Sequence, residues 1–233
     1  MMVGKEVDDV NIRMPEDAYD IGNHVPTFNA YLTAIVRDSE GKIIKVHRQR
    51  SHSPTANFIG LFLPMAYFST NNVSFTLTNT GGSTCTYQPG LESSSKDIAY
   101  PNTGANHNTY IVMIQVGSGQ QSNPYTATAL AAPIANGSGA GQLVYQPVTL
   151  PSNITINGNT AYFYITQTYN NISGSTITIT EVGIILELQV TNYWNTSSTN
   201  CGNMLVWYDV LSSPISVPNA GSVTIYYTFA VNP

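Results

Sequence analysis

The acidic side chains that follow Asp97 are Glu181, Glu187 and Asp209, so proton-transfer chemistry in that part of the chain would depend on them. Glu181 and Glu187 lie six residues apart, which places them on one face of a continuous strand at a separation of roughly 20 Å. Two carboxylates that hydrolyse a glycosidic bond need a separation of about 5 to 9.5 Å. Asp209 could still approach either one in space. This spacing favours a protein that is not an enzyme.

The sequence contains no recognisable motif for binding a metal ion or a cofactor. The four histidines are dispersed, without an HExxH or HxH cluster, and Cys85 and Cys201 form no CxxC pair. The Gly117-Ser118-Gly119 stretch lacks the third glycine and the following helix of a dinucleotide-binding loop, which indicates a turn. We therefore expect no metal and no cofactor. The two cysteines allow one disulfide, but the sequence leaves open whether they meet.

The basic residues near the start of the chain form the most specific candidate for a binding site. Seven of the eight lysines and arginines precede Ser51, and those that flank or lie in a candidate strand are Arg37, Lys42, Lys45, Arg48 and Arg50. Strand alternation puts Lys45 on one face with His47, and Arg48 with Arg50 on the other. We interpret these five cations as a candidate contact for the phosphates of DNA, made without reading bases. Solvated charges, pairing with the acidic N-terminal residues, and partner docking are the alternatives.

The composition indicates a chain that associates with its own copies. Only 9% of the residues are charged, compared with about 25% in an ordinary soluble domain, and the formal net charge is −5. Low charge gives little repulsion between copies. A net acidic chain does not coat nucleic acid over its whole surface. No apolar stretch is long enough to span a membrane as a helix.

The elements that would position these residues are mostly strands. Residues 1–26 are charged, contain Pro15 and Pro26 and show no period, which predicts an extended N-terminal arm. From residue 27 to 233 we predict one β-sandwich domain with loop insertions. Strands at 28–37 and 42–50 form a hairpin around the turn at 38–41, followed by one short helix that starts at Ser53 as N-cap and Pro54. Pro54, Asn57, Phe58 and Leu61 are the predicted subunit-interface residues of that helix.

The rest of the chain alternates between β-rich segments and Gly, Asn, Ser and Pro clusters. Candidate strands cover 73–78, 110–116, 143–150, 160–169, 175–190, 203–211 and 222–231. This pattern predicts an all-β fold, an antiparallel and jelly-roll-like sandwich with one short helix after the first hairpin.

Three segments, in this order, resemble structural proteins of the virions of tailed phages and archaeal spindle-shaped viruses. They are KIIKVHRQRSHSPTANFI at 42–59, VGSG at 116–119 with the apolar stretches that follow it, and SGSTITITEVGI at 173–184 with WYDVL at 207–211 and the final strand. The resemblance is to nozzle, tail-tip, tail or head-vertex components. The chain is short for a double jelly-roll capsid protein, and it lacks the heptads of a fibre stalk.

The resemblance implies a virion component that assembles into a ring or shell, with surrounding or retaining the genome exit as the expected role of a ring. Its partners would be copies of itself, other virion proteins and, non-specifically, viral DNA. The alternative is a host-attachment or carbohydrate-binding module on the virion surface. Tyr193, Trp194 and Trp207 could then stack on sugars, although core and interface positions are the commoner roles of such side chains.

Overall fold

The structure is a computed structural model that describes residues 27–51, 53–66, 74–87, 97–101, 112–192 and 198–232. The predicted arm at 1–26 lies outside these residues, and its extended form stays a prediction. Within the described parts of the chain, no helix combines the length and the apolar character that crossing a membrane requires.

The first hairpin forms where the alternating pattern predicts it. Strand β1 spans Thr27–Arg37 and β2 spans Ile43–Ser51. In the turn between them, the Asp38 carboxylate accepts the backbone N–H groups of Glu40 and Lys42 at 3.0 and 2.9 Å. Gly41 has a φ of 81°, which glycine adopts without the steric cost that a Cβ would add. The turn residues therefore fix the register of the hairpin.

Besides the hairpin, the first sheet contains β7 at Val144–Tyr145, β8 at Thr155–Asn157, β9 at Thr160–Asn170 and β12 at Ser222–Asn232. Its six antiparallel strands follow the order β2–β1–β12–β9–β7, with β8 also paired to β9. The last strand of the chain lies between β1 and β9, with Thr27 opposite Asn232 and Arg37 opposite Ser222. The two ends of the described chain are thus joined in one sheet.

The second sheet is built on β10, Ile177–Asn192, and β11, Ser198–Val217. Two shorter strands, β5 at Asp97–Pro101 and β6 at Val112–Gly117, pair with successive lengths of β10. Between the pairs Glu181–Val210 and Ile179–Ile215, residues 211–214 of β11 stand opposite Thr180 alone. We call residues 211–214 the β11 bulge.

The core lies between these two sheets, as alternation on their strands dictates. Leu32, Ala34 and Val36 of β1 face Val182 and Ile184 of β10 in one buried apolar cluster. Buried tyrosines cross the same space with their hydroxyl groups satisfied: Tyr169 donates to the carbonyl of Ile114 at 2.5 Å, and Tyr227 donates to that of Val182 at 3.3 Å. The predicted all-β, antiparallel sandwich is confirmed.

A third layer covers the outer face of the second sheet. It consists of the loop at 118–143, which contains a single 3₁₀ turn at Pro124–Thr126. Ala127 and Leu130 of this loop pack on Ile185, Leu205 and Tyr208 in a separate buried cluster. Because both faces of β10 are covered, this strand is buried along most of its length.

The predicted helix is present, but it starts later than the sequence suggests. Helix α1 spans Ala56–Ala66, and the hydroxyl of Thr55 accepts the backbone N–H of Phe58 at 3.5 Å. Ser53 is therefore not the N-cap. Its carbonyl accepts the N–H of Tyr208 at 3.0 Å, and Pro54 forms a β-bridge with Trp207. Pairing with β11 keeps residues 53–55 extended, so the helix begins only at Ala56.

A small ribbon of β3, Phe75–Thr78, and β4, Thr84–Tyr87, follows the helix. The sequence predicted neither β4 nor the short strands β5 and β8. The predicted strand at 143–150 is reduced to β7 and two isolated bridges, Leu143 with Asn136 and Thr149 with Thr166. Pro147 cannot donate to a ladder, which accounts for this interruption. Strand β11 extends well beyond the predicted 203–211, because pairing with β10 stabilises polar residues that have weak strand propensity.

Candidate nucleic-acid and subunit interfaces

The basic strand β2 divides its side chains between the two faces of the first sheet. On the inward face, Lys45 Nζ donates to the carbonyl of Pro214 at 2.8 Å. Gln49 donates to the carbonyl of Val210 at 3.0 Å and accepts the N–H of Ser212 at 2.8 Å. The inward face of β2 thus holds the β11 bulge in place. Lys45, a predicted nucleic-acid contact, points away from Arg48 and Arg50 on the same strand.

Arg48 and Arg50 project from the outward face of β2, and both are exposed. Arg50 Nη2 donates to Asn29 Oδ1 at 2.6 Å on the neighbouring strand. Arg37 lies at the end of β1 on the same face, half-buried, and its Nη1 donates to the carbonyl of Gly41 at 3.1 Å. Lys42 is exposed at the end of the turn. Three of the five predicted cations therefore share one face.

Tyrosines lie on the same outward face as these arginines. Rows of directly paired residues cross it as Arg48–Thr33–Tyr226–Thr166 and Arg50–Tyr31–Thr228–Tyr164. The rings of Tyr164 and Tyr226 meet edge to face with centroids 5.9 Å apart. We call Arg48, Arg50, Tyr164 and Tyr226 the arginine–tyrosine face. Sequence reasoning missed the tyrosines, because only the long-range order of β2, β12 and β9 brings them beside β2.

The helix residues that were predicted to contact neighbouring subunits make contacts inside the chain. Asn57 is buried, and its amide donates to the carbonyl of Thr78 at 2.8 Å and accepts the N–H of Thr78 at 3.0 Å. Phe58 packs edge to face on Trp207 with ring centroids 5.4 Å apart, and Leu61 packs on the main core. Pro54 is half-buried at its bridge to Trp207. Their role at a subunit interface stays a prediction.

An exposed apolar row lies elsewhere, at one end of the inner face of the first sheet. Direct cross-strand pairing connects Phe28, Val231, Ala161 and Ile156 across β1, β12, β9 and β8. Phe28 is 56%, Val231 44% and Ile156 76% exposed. We call these four residues the apolar row. The alternation of β1 and β12 predicts that Phe28 and Val231 share the core face, but the sequence does not show that they lie beyond its covered part.

Glu181 is buried beneath the loop layer and satisfies that loop's backbone. Its carboxylate accepts the N–H groups of Gly119, Ala131 and Ala132 at 3.2, 2.9 and 2.7 Å, and the hydroxyl of Tyr208 at 2.9 Å. At Gly117, a Cβ would lie 2.4 Å from Glu181 Oε1, so the glycine leaves room for the carboxylate. Gly117 ends β6 and Ser118 lies at a bend, so this stretch lies beside a carboxylate of its own chain and the predicted turn stays a prediction.

Asp209 faces the opposite side of the second sheet from Glu181. It pairs with Val182 on β10, and its Oδ2 accepts the hydroxyl of Ser51 at 2.5 Å and that of Tyr227 at 2.9 Å. Glu187 is buried on β10 and accepts a hydrogen bond from Asn200 at 3.4 Å. The three carboxylates therefore do not converge on a common site.

Trp207, a candidate residue for stacking on sugars, is part of the core. It is buried against Phe58 and Phe229, and its Nε1 donates to the hydroxyl of Ser51. Its ring faces are therefore covered. Tyr193 and Trp194 lie outside the described residues.

Cys85 of β4 and Cys201 of β11 are joined in a disulfide, with their Cα atoms 5.5 Å apart. Beside it, Thr80 donates to the carbonyl of Asn203 at 2.8 Å, and Asn79 donates to that of Cys201 at 3.2 Å. The disulfide and these hydrogen bonds attach the small ribbon to the second sheet.

Among the tyrosines that the structure describes, five have a raised pKa, and burial is the main cause in each case. Burial raises the pKa of Tyr145 to about 12, and it raises those of Tyr169, Tyr208, Tyr226 and Tyr227 as well. Asp209 adds to the effect on Tyr227, and Tyr164 adds to the effect on Tyr226, whereas Arg37 opposes it. At neutral pH these phenols are therefore protonated hydrogen-bond donors.

This set of tyrosines predicts alkaline unfolding. Above a pH of about 10 the unfolded chain loses phenolic protons that the folded chain keeps, so stability that is complete below that pH falls as the pH rises towards 12. Tyr145 alone accounts for about 3 kcal/mol of the folding stability that is lost as the pH rises through this range. Absorbance of phenolate at 295 nm should rise in step with the loss of the circular-dichroism signal. Full ionisation of all tyrosines before any unfolding would contradict this expectation.

Metal binding and known relatives add no further site. Among the described residues, no group of three or more His, Cys, Asp and Glu side chains is arranged to hold a metal ion. The candidate surfaces are thus the arginine–tyrosine face and the apolar row. No protein-family model, no curated protein and no solved structure matches this chain.

Proposed function

We propose that this protein is a structural subunit of a virus particle that assembles with copies of itself into a ring or shell. The observation that carries the assembly part is the apolar row, in which Phe28, Val231 and Ile156 are exposed on adjacent strands of one sheet. Contiguous exposed apolar surface marks sites of association in soluble proteins. The proposed occupant of this row is a second copy of the chain.

Low charge supports association between copies. The chain has 8 basic and 13 acidic residues in 233, so its copies repel each other weakly. The 42–59 and 173–184 segments resemble virion proteins, and this resemblance supports a role as a nozzle, tail or capsid-vertex component.

The sheet edges indicate that copies would associate through faces instead of shared strands. The outer edge of β11 is occupied within the chain, where Thr55 donates to Val206 at 3.1 Å and Tyr208 donates to Ser53 at 3.0 Å. At the edges of the first sheet, β2 carries lysine and arginine, and β7 and β8 have only two and three residues. Charged or short edge strands resist pairing with another chain.

The disulfide supports a location outside a reducing cytosol. Disulfides persist in oxidising surroundings, and a released virion is exposed to such surroundings. Cys85–Cys201 therefore fits the proposed virion location.

Replacing Ile156 and Val231 together with threonine tests the assembly. If copies bury these side chains, the double variant should raise the dissociation constant about 100-fold, because each fully buried residue of this size contributes about 1.5 to 3 kcal/mol. Sedimentation velocity over a range of protein concentrations measures the change.

The matched control is Ile172→Thr, since Ile172 is 57% exposed and lies outside the apolar row. This variant should associate like the unmodified chain. An unmodified chain that stays monomeric at high concentration, or equal weakening by the control, would sink the proposal. Electron microscopy of the assembled protein should show rings or closed shells, and a reconstruction of the particle would give its position.

A further inference from the structure

We propose that the arginine–tyrosine face of the first sheet binds single-stranded nucleic acid. Arg48 and Arg50 would hold the phosphates, and Tyr164 and Tyr226 would stack on the bases. This surface lies on the opposite side of the first sheet from the apolar row, so it is a binding site beyond the proposed assembly role.

Charge is segregated onto this sheet. The strands β1, β2, β9 and β12 contain Arg37, Lys45, Arg48 and Arg50 but no aspartate or glutamate. The chain as a whole is acidic, with a formal net charge of −5. A sheet that is cationic in an acidic protein attracts a polyanion locally, because charge within about 10 Å acts before salt screens it. The Asp38 carboxylate, in the turn beside this sheet, is bonded to backbone N–H groups.

The cations and the rings lie on separate strands. Arg48 and Arg50 are on β2, about 7 Å apart along the strand, and Tyr226 lies two strands away on β12, roughly 10 Å across the sheet. Tyr164 lies one strand further, on β9. A single strand of nucleic acid has the same lateral separation, with phosphates along its backbone and planar bases to one side. Laid along β2, it would direct its bases across the buried residues Tyr31 and Thr33 of β1 towards the two tyrosines.

The side chains on this face suit such a ligand. Tyr164 is 39% exposed, so part of its ring is open to solvent. Solvent-exposed aromatic rings stack on unpaired bases of any sequence, whereas the bases of a duplex are already stacked on each other. Guanidinium groups bind phosphate oxygens in a bidentate manner. An acidic glycan carries its charged group and its ring on the same sugar unit. It therefore fits cations and tyrosine rings that lie on separate strands less well than a nucleic acid does.

Fluorescence anisotropy with a labelled oligothymidylate of about 20 nucleotides tests the proposal. Arg48→Gln with Arg50→Gln should weaken binding at least tenfold and reduce the log–log salt slope by about 1.4, because each phosphate contact contributes about 0.7. Tyr164→Leu and Tyr226→Leu should each weaken it about tenfold, the effect of losing one base stack. Tyr164→Phe and Tyr226→Phe keep the ring and should keep the affinity.

Lys45→Gln is the charge-matched control, since Lys45 points to the inward side of the same strand and contacts Pro214. It should bind like the unmodified chain. Because Arg50 also donates to Asn29, the single variant Arg48→Gln removes one cation and leaves the Arg50–Asn29 hydrogen bond intact. Thermal melting of every variant shows whether it is folded.

Four results would overturn the proposal: no binding of oligothymidylate, equal weakening by Lys45→Gln, no effect of the leucine variants, or stronger binding of a duplex or a heparin oligosaccharide. The last would assign the face to duplex DNA or to acidic glycans. The Ile156→Thr, Val231→Thr variant should bind oligothymidylate as the unmodified chain does when compared per subunit. Loss of the nucleic-acid proposal would therefore not contradict the assembly proposal.

Discussion

Replacing Cys85 and Cys201 together with serine is expected to lower the free energy of unfolding by about 2 to 5 kcal/mol. The bond joins residues 116 positions apart, so without it the unfolded chain gains the freedom of a long loop. The fold should persist, because Leu77 of the ribbon is buried and Asn57 and Thr78 hold the ribbon to the helix. Chemical denaturation of both proteins under non-reducing conditions measures the loss.

Reduction provides the control for this prediction. The unmodified chain with a reductant should lose the same stability as the double variant, whose melting should not respond to the reductant. The intact mass of the unmodified chain should be lower by two hydrogens without reductant than with it. A chain whose mass and melting temperature are both insensitive to reductant would show that Cys85 and Cys201 are not bridged.

Local patterns predicted the parts of this fold that depend on neighbours in sequence. The hairpin of β1 and β2 follows from alternation and a turn with Asp38 and Gly41, and the helix follows from apolar spacing. The helix start was misplaced because the signal at Ser53 and Pro54 is local, whereas residues 53–55 pair with β11, about 150 residues away. Tertiary pairing outweighed a capping preference of about 1 kcal/mol.

The candidate surfaces were predictable only in part, for the same reason. Parity along β2 correctly separated Lys45 from Arg48 and Arg50. It could not show that Tyr164 and Tyr226 join the arginines, since that depends on β12 lying between β1 and β9. The apolar row likewise requires pairing between Phe28 near the start of the domain and Val231 near its end. Both surfaces are products of topology.

The same limit applies to the carboxylates Glu181 and Glu187. The distance of roughly 20 Å between Glu181 and Glu187 follows from strand geometry alone. What Glu181 does follows from a loop about 50 to 60 residues earlier, which no periodicity could connect to it. A sequence shows a carboxylate on a strand, and the fold supplies the donors that make it structural.

Glu181→Ala is expected to destabilise the protein by about 3 kcal/mol or more, since it removes one acceptor that serves four donors. The N–H groups of Gly119, Ala131 and Ala132 and the hydroxyl of Tyr208 would lose their partner beneath the loop layer. Each buried donor left unsatisfied costs about 1 to 3 kcal/mol. Glu181→Gln keeps the size and one acceptor but turns an amide N–H₂ towards donors, so its cost should be intermediate.

Hydrogen exchange distinguishes this role of Glu181 from a general loss of packing. In Glu181→Gln, amide protons at 119–132 should exchange faster, while those of β1 and β12, on the far side of the core, keep their protection. Glu40→Gln, at an exposed turn carboxylate, is the control and should change stability by less than about 0.5 kcal/mol. If the 119–132 amides kept their native exchange rates in Glu181→Gln, the carboxylate would not be what holds this loop on the second sheet.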